Sequence, residues 1–182
     1  TLGILGFGRI GTEVAAIGRA FGMKVVAWGP TLTSERAARS DAAFLPLEEG
    51  LRTADVVSVH LKLSEESKNL LDEARLRLMK KSDYFVNPAR GAIVDERALV
   101  RVLKENAIAG AALDVFVEEP LPKHHPLLEL ENIVLAPHLG WPTDSGFEGF
   151  ADNAVTNILD YMNGKLSRAL NPEALQHRRN AR

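Results

Sequence analysis

Short, nearly continuous apolar runs alternate with helix-spaced segments along most of this 182-residue chain. Leu2–Leu5, Lys24–Trp28, Asp55–Leu61, Tyr84–Asn87, Ile108–Phe116 and Ile133–Ala136 read as strands, with a brief further one at Phe44–Leu45. Between them lie helical patterns. Ile10, Val14, Ile17 and Phe21 recur every three or four residues and mark one helix face. Further helices are expected from Thr33 to about Arg39, over Leu47–Thr53 and over Asp72–Met79, where Lys80 and Lys81 would close the C-terminus. Another is capped by Asp95 and carries Leu99, Val102 and Leu103. Strands this apolar have no polar face to offer water, so helices must cover both sides of a parallel sheet. The fold class is therefore α/β with a doubly wound parallel sheet.

Such sheets bind ligands in the crevice outside the carboxyl ends of their strands. Six segments occupy that position here: Gly6–Gly11, Gly29–Thr31, His60–Lys62, Asn87–Gly91, Asp114–Pro120 and Pro137–Trp141. The first reads Gly6-Phe7-Gly8-Arg9-Ile10-Gly11, between a strand and a helix. In that context each glycine has a mechanical task. Gly6 permits the turn, Gly8 lets backbone approach a pyrophosphate, and Gly11 lets helix and strand pack closely. The helix N-terminus then presents unpaired N–H groups to the anion. An acid ending the second strand would hold the adenosine ribose hydroxyls, but Trp28-Gly29-Pro30-Thr31 stands there. No carboxylate repels a 2′-phosphate, and Arg36 is the nearest cation. The sequence leaves NAD and NADP both open, with a slight lean to NADP.

Three residues at the same edge suit hydride chemistry. Arg90 follows one strand in Asn87-Pro88-Ala89-Arg90-Gly91, Glu119 lies in the loop before Pro120, and His138 stands in Pro137-His138-Leu139-Gly140. Oxidising a hydroxyl needs a base for its proton, and reduction needs the same group as an acid; histidine serves both near neutrality. A neighbouring carboxylate fixes its tautomer and favours the protonated form. An arginine forks to a substrate carboxylate, a charge-assisted contact contributing roughly 1.5–3 kcal/mol. The set fits a 2-hydroxy or 2-oxo acid.

Composition narrows the classes. Twenty-two Lys and Arg against 24 Asp and Glu give a net charge of -2, so no basic surface points to nucleic acid or an anionic membrane. There is no cysteine, which excludes disulfides, thiolate metal sites and cysteine nucleophiles, and fits a reducing cytoplasm. No run approaches the ~18 apolar residues of a membrane span. Adjacent His124 and His125 read as a surface loop; no metal is expected. His60 reads as a structural or cofactor-lining histidine. No G-x-S-x-G hydrolase elbow occurs.

LGILGFGRIG, NPARGAIVDE, GAALDVFVEEP and APHLGW together resemble, in order over residues 1 to about 141, the cofactor domain of the D-isomer-specific 2-hydroxyacid dehydrogenases. The resemblance implies a Rossmann-type NAD(P)-binding domain. It assigns Arg90 to substrate, Glu119 to the pairing with His138, and His138 to general acid/base work. It places Gly6, Gly8, Arg9, Ile10 and Gly11 at the pyrophosphate and Gly29, Pro30 and Thr31 at the ribose. His60, Leu61, Lys62 and Ser67, with Pro88, Ala89, Arg90, His138 and Gly140, would line the cofactor, and Asp114 would meet the nicotinamide amide. Gly29 departs from a frequent Asp, Lys62 from a usual Pro, and Glu119 rather than Gln argues against the formate dehydrogenase branch. The loop after Gly140, Trp-Pro-Thr-Asp, departs from the common small-residue form.

The resemblance further implies a second, substrate-binding domain. The chain starts at Thr1 directly on a strand, and a piece of a longer protein is expected, binding cofactor with little or no turnover alone. Residues 1–141 read as the dinucleotide-binding domain. Phe147, Phe150, Ala151, Ala154, Ile158, Leu159 and Met162 make one long amphipathic helix, and residues 142–182 read as that helix and a tail returning toward the other domain. A homodimer is implied by relatives. The alternatives are an NAD(H)-sensing binding module of corepressor type, which need not keep all of Arg90, Glu119 and His138, and a methyltransferase, which would not explain Glu119 with His138.

Overall fold

The computed structural model describes residues 1–165 and 169–171. The tail expected from Gly164 falls largely on 166–168 and 172–182, outside the described residues. Two compact units divide the chain, Thr1–Gly140 and Trp141–Arg182.

The first unit holds strands β1 (Leu2–Leu5), β2 (Val25–Trp28), β3 (Ala43–Phe44), β4 (Val56–Val59), β5 (Tyr84–Asn87), β6 (Gly110–Leu113) and β7 (Ile133–Leu135). They form one parallel sheet in the order β3-β2-β1-β4-β5-β6-β7. The chain builds outward from β1 to one edge, then returns beside β1 and builds to the other. Helices α1 (Arg9–Ala20), α2 (Ser34–Ala38), α3 (Leu47–Thr53), α4 (Glu73–Leu76) and α5 (Glu96–Lys104) connect the strands. One core cluster gathers Leu2, Ile4, Ala15, Val25, Ala27 and Ala37; the other gathers Leu51, Val57, Leu76, Phe85, Leu99 and Val102. Each fully buried Val, Leu, Ile or Phe among them contributes about 1.5–3 kcal/mol.

Three sequence expectations need correction. Of the stripe Ile10, Val14, Ile17 and Phe21, only Val14 packs against the core: Ile10, Ile17 and Phe21 are 67%, 58% and 82% exposed, while Gly11, Ala15 and Gly18 are buried. The helix lies so close to β1 that a Cβ on Gly11 would overlap the Gly6 carbonyl, and one on Gly18 would come 2.6 Å from Leu2 Cδ2. Only small residues fit that approach. Strands β4 and β6 are shorter than Asp55–Leu61 and Ile108–Phe116. His60 N–H still reaches Leu5 O and Asp114 N–H reaches Asn87 O, after which each chain leaves the ladder for its loop. The helix expected over Asp72–Met79 ends at Leu76; Leu78 N–H bonds to Arg75 O and Met79 N–H to Leu76 O, the tighter three-residue pattern of a closing turn. Lys80 therefore stands in a turn, where its Nζ meets Asp55 Oδ1 at 2.6 Å and its N–H donates to buried Asp83.

The second unit carries α6 (Asp144–Met162), whose Thr143 cap accepts from Gly146 N–H at 3.1 Å. The Trp141 ring packs on Phe147 and Phe150 at centroid distances of 5.4 and 6.1 Å. No described helix is long and apolar enough to cross a membrane.

Candidate functional site

The turn from β1 into α1 leaves its helix N-terminus open. Gly6 has φ +101 and lies against the His60–Leu61 backbone, and Gly11 lies against Gly6. Gly8 differs: a Cβ there would meet nothing within 4 Å. That open space fits a phosphate group approaching the backbone. Helix α1 has no side-chain cap at Gly8 and no acid in its first turn, so its positive dipole end is neither satisfied nor neutralised by the chain. Arg9 and Ile10 are exposed beside it.

Gly29, expected to border a ribose, is buried but roomy. A Cβ would find Leu32 Cβ at 3.6 Å and Phe7 N at 3.7 Å, ordinary contacts. Arg36 reaches back across this corner, donating to Thr31 O at 3.1 Å and Phe7 O at 3.2 Å. Its guanidinium thus stands next to the loop that Gly29, Pro30 and Thr31 form.

Past β4, His60 Nε2 lies 2.9 Å from Oγ of buried Ser58, and burial pushes its imidazole below the ordinary histidine value. Leu61 is buried and Lys62 exposed. Ser67 is itself buried; its hydroxyl donates to Lys62 O and accepts from Ser64 N–H, each at 2.8 Å, and so shapes the loop.

Asn87, at the end of β5, is a residue whose part sequence reasoning missed. Its Oδ1 accepts from Ala89 N–H and its Nδ2 donates to Arg90 O, both at 3.0 Å. This Asx-type turn, signalled by Asn before Pro, fixes the backbone of Pro88, Ala89 and Arg90. Arg90 then projects, exposed, with Nη1 2.6 Å from Ala89 O.

Glu119 and His138 meet across two loops. Glu119 Oε2 lies 2.7 Å from His138 Nδ1, and Glu119 Oε1 accepts from Phe116 N–H at 2.9 Å. These bonds, with the nearby charge of Arg90, hold the Glu119 carboxyl below the usual glutamate range. The Glu119–Pro120 peptide is cis. With Nδ1 occupied, the other ring nitrogen of His138 is the one left for chemistry; the side chain is 37% exposed. His138 has φ 56, the left-handed region. Asp114 supports it there: its two oxygens accept from Leu139 N–H at 2.7 Å and Gly140 N–H at 2.8 Å. Sequence reasoning gave Asp114 a cofactor contact and missed this clasp, since nothing in local spacing links residues 25 apart.

His124 and His125 lie in a loop as expected; His124 is exposed, while His125 is partly buried and lies 3.1 Å from Glu96. Among the described residues no cluster of ligating side chains could hold a metal ion.

The family model described as D-isomer specific 2-hydroxyacid dehydrogenase, NAD binding domain, matches residues 1–140. A glyoxylate reductase of Aeropyrum pernix is 46% identical over 166 residues, covering 91% of this chain and 50% of that protein. A D-lactate dehydrogenase of Aquifex aeolicus, solved with NAD and lactic acid, superposes with TM-score 0.83 at 31% identity, covering 92% of this chain and 55% of that one. An acyclic imino acid reductase solved with NADPH and D-Arg gives TM-score 0.77 at 33% identity, covering 90% and 51%. The chain thus spans about half the length of the relatives it matches. It belongs to the D-isomer-specific 2-hydroxyacid dehydrogenase family, and residues 1–140 are matched by that family's NAD-binding domain.

Proposed function

We propose that the protein to which this chain belongs is an NAD(P)-dependent oxidoreductase interconverting a small D-2-hydroxy acid and its 2-oxo form. The observation that carries this reading is the 2.7 Å Glu119–His138 pair, with Arg90 close enough to lower the Glu119 carboxyl. These groups share a sheet edge with the anion-ready turn at Gly8. A bound nicotinamide supplies or takes up the hydride. His138, its tautomer fixed through Nδ1, moves the proton of the substrate hydroxyl at Nε2. Glu119, its carboxyl held low, stays ionised and keeps the imidazole oriented through Nδ1. Arg90 binds the substrate carboxylate. Gly6, Gly8, Arg9, Ile10 and Gly11 cradle the pyrophosphate; Gly29, Pro30 and Thr31 border the ribose. His60, Leu61, Lys62, Ser67, Pro88, Ala89, Asp114 and Gly140 complete the lining.

In this reading residues 1–141 are the dinucleotide-binding domain and 142–182 lead toward a substrate domain. The protein works in the cytoplasm as a homodimer. Relatives named glyoxylate reductase and D-lactate dehydrogenase favour a short side chain on the substrate. Open Gly29 beside Arg36 supports NADP over NAD.

The test is hydride transfer by the full-length parent, followed at the nicotinamide absorbance, with glyoxylate, hydroxypyruvate and longer 2-oxo acids. Turnover of one of them with either cofactor is expected. Cofactor binding with no turnover of any 2-oxo acid overturns the enzyme reading in favour of a sensing module.

A further inference from the structure

The loop that carries Glu119 is held from behind by a group outside the site described above. Glu96 is the first residue of α5, and its side chain is only 15% exposed. Its Oε2 accepts from Val117 N–H at 3.2 Å, and its Oε1 faces His125 Nε2 at 3.1 Å. His125 Nδ1 accepts from Leu127 N–H at 3.3 Å, capping the short 3-10 turn over Pro126–Glu129. An acceptor at Nδ1 puts the ring proton on Nε2, aimed at Glu96. Two other chain segments therefore converge on the Glu96 carboxylate, at Val117 and at His125.

Two successive N–H groups of the loop have carboxylate partners. Phe116 N–H donates to Glu119 and Val117 N–H to Glu96. The intervening peptide is also pressed by Gly91, where a Cβ would overlap the Phe116 carbonyl. Gly91 follows Arg90 directly. The Phe116–Val117 peptide is thus fixed from one side by the Arg90 turn and from the other by Glu96. The Phe116 N–H belongs to the preceding peptide, one Cα away, so a shift of this anchored peptide would carry Phe116 with it, withdraw its N–H from Glu119 Oε1 and turn Oε2 away from His138.

We propose that Glu96, oriented by His125, is a positioning residue that locks the Phe116–Val117 peptide so that Glu119 presents its carboxylate to His138 Nδ1. Glu96 touches neither His138 nor the substrate; it acts through the loop. The proposal rests on the reading of Glu119 and His138 given above, and deepens it.

The readout is the titration of the Glu119 carboxyl carbon by NMR in the 182-residue chain, which needs no turnover. Glu96→Ala removes both bonds. Glu96→Gln keeps one acceptor and offers an amide donor where a second acceptor is needed. His125→Asn keeps an acceptor for Leu127 N–H but is too short for Glu96. Glu105→Gln, at a surface carboxylate paired with Arg77, is the control. The Glu119 midpoint is expected to rise toward the ordinary glutamate range in Glu96→Ala and Glu96→Gln, by less in His125→Asn, and to stay fixed in Glu105→Gln. An unmoved Glu119 midpoint in a folded Glu96 variant overturns the proposal; where Glu96→Ala does not fold, Glu96→Gln decides. In the parent, the same variants should lower kcat with little change in cofactor KM and alter the pH–rate profile. A parent without hydride transfer, in a chain whose Glu119 still responds to Glu96, would defeat the enzyme reading and leave the clamp standing.

Discussion

Glu119 Oε2 stands 2.7 Å from His138 Nδ1, while the other Glu119 oxygen is bonded to the Phe116 N–H. Both carboxylate oxygens are thereby committed, and the imidazole is presented in one tautomer. In the parent, His138→Gln should cost roughly 10²–10⁴-fold in kcat, the usual worth of a positioned acid/base, with cofactor affinity unchanged. Glu119→Gln should also lower kcat, since the carboxylate that holds His138 Nδ1 and fixes the ring's tautomer is replaced by an amide. Steady-state kinetics across pH check both.

Gly8 and Gly11 should separate binding from folding. A Cβ at Gly11 meets the Gly6 carbonyl, so Gly11→Ala should lower stability by about 1–3 kcal/mol, the range for overpacking. A Cβ at Gly8 meets no protein atom within 4 Å. Gly8→Ala should unfold at the wild-type temperature yet bind cofactor more weakly. Thermal melts beside cofactor titrations decide it.

The ribose corner predicts a cofactor switch. Gly29 has ordinary clearances and no unusual φ, so Gly29→Asp should fold normally, repel a 2′-phosphate and strengthen NAD binding. Arg36→Gln should weaken NADPH by roughly 10–100-fold, corresponding to about 1.5–3 kcal/mol for a charge-assisted contact. Fluorescence titration with both cofactors is the measurement; equal losses for NADH and NADPH in Arg36→Gln would remove Arg36 from specificity.

His60 makes stability depend on pH in a defined direction. Its folded-state value lies below 6.5 because of burial, so the unfolded chain takes up the proton first as pH falls. The stabilisation is complete above 6.5, declines below it, and is lost once the folded value is passed. The depressed carboxyl of Glu119 adds a further decline at lower pH. Melting temperatures of His60→Gln should show a flatter slope just below 6.5 than wild type.

The sheet was readable because its strands are short apolar runs with no polar face, and the loops because unusual residues collect where strands end. The buried face of α1 was not. Apolar spacing draws attention to Ile10, Ile17 and Phe21, whereas the sheet selects Gly11, Ala15 and Gly18 for their lack of bulk. Arg90, Glu119 and His138 were visible as residue types placed after strands. Their supports were not: Asp114 with Leu139 and Gly140, and Glu96 with Val117 and His125, are joined by tertiary geometry across 20 to 30 residues, beyond any local pattern.

Because every strand of the first unit runs in the same direction, the turns that lead into strands all fall at the rim remote from Gly8, Arg90 and His138. Gly22, Asp41 and Asn106 lie there, each exposed and each with positive φ. A change of length at these exposed turns is separated from the opposite rim by the length of the strands. A parallel sheet thus keeps the loops that leave its strands apart from the turns that enter them.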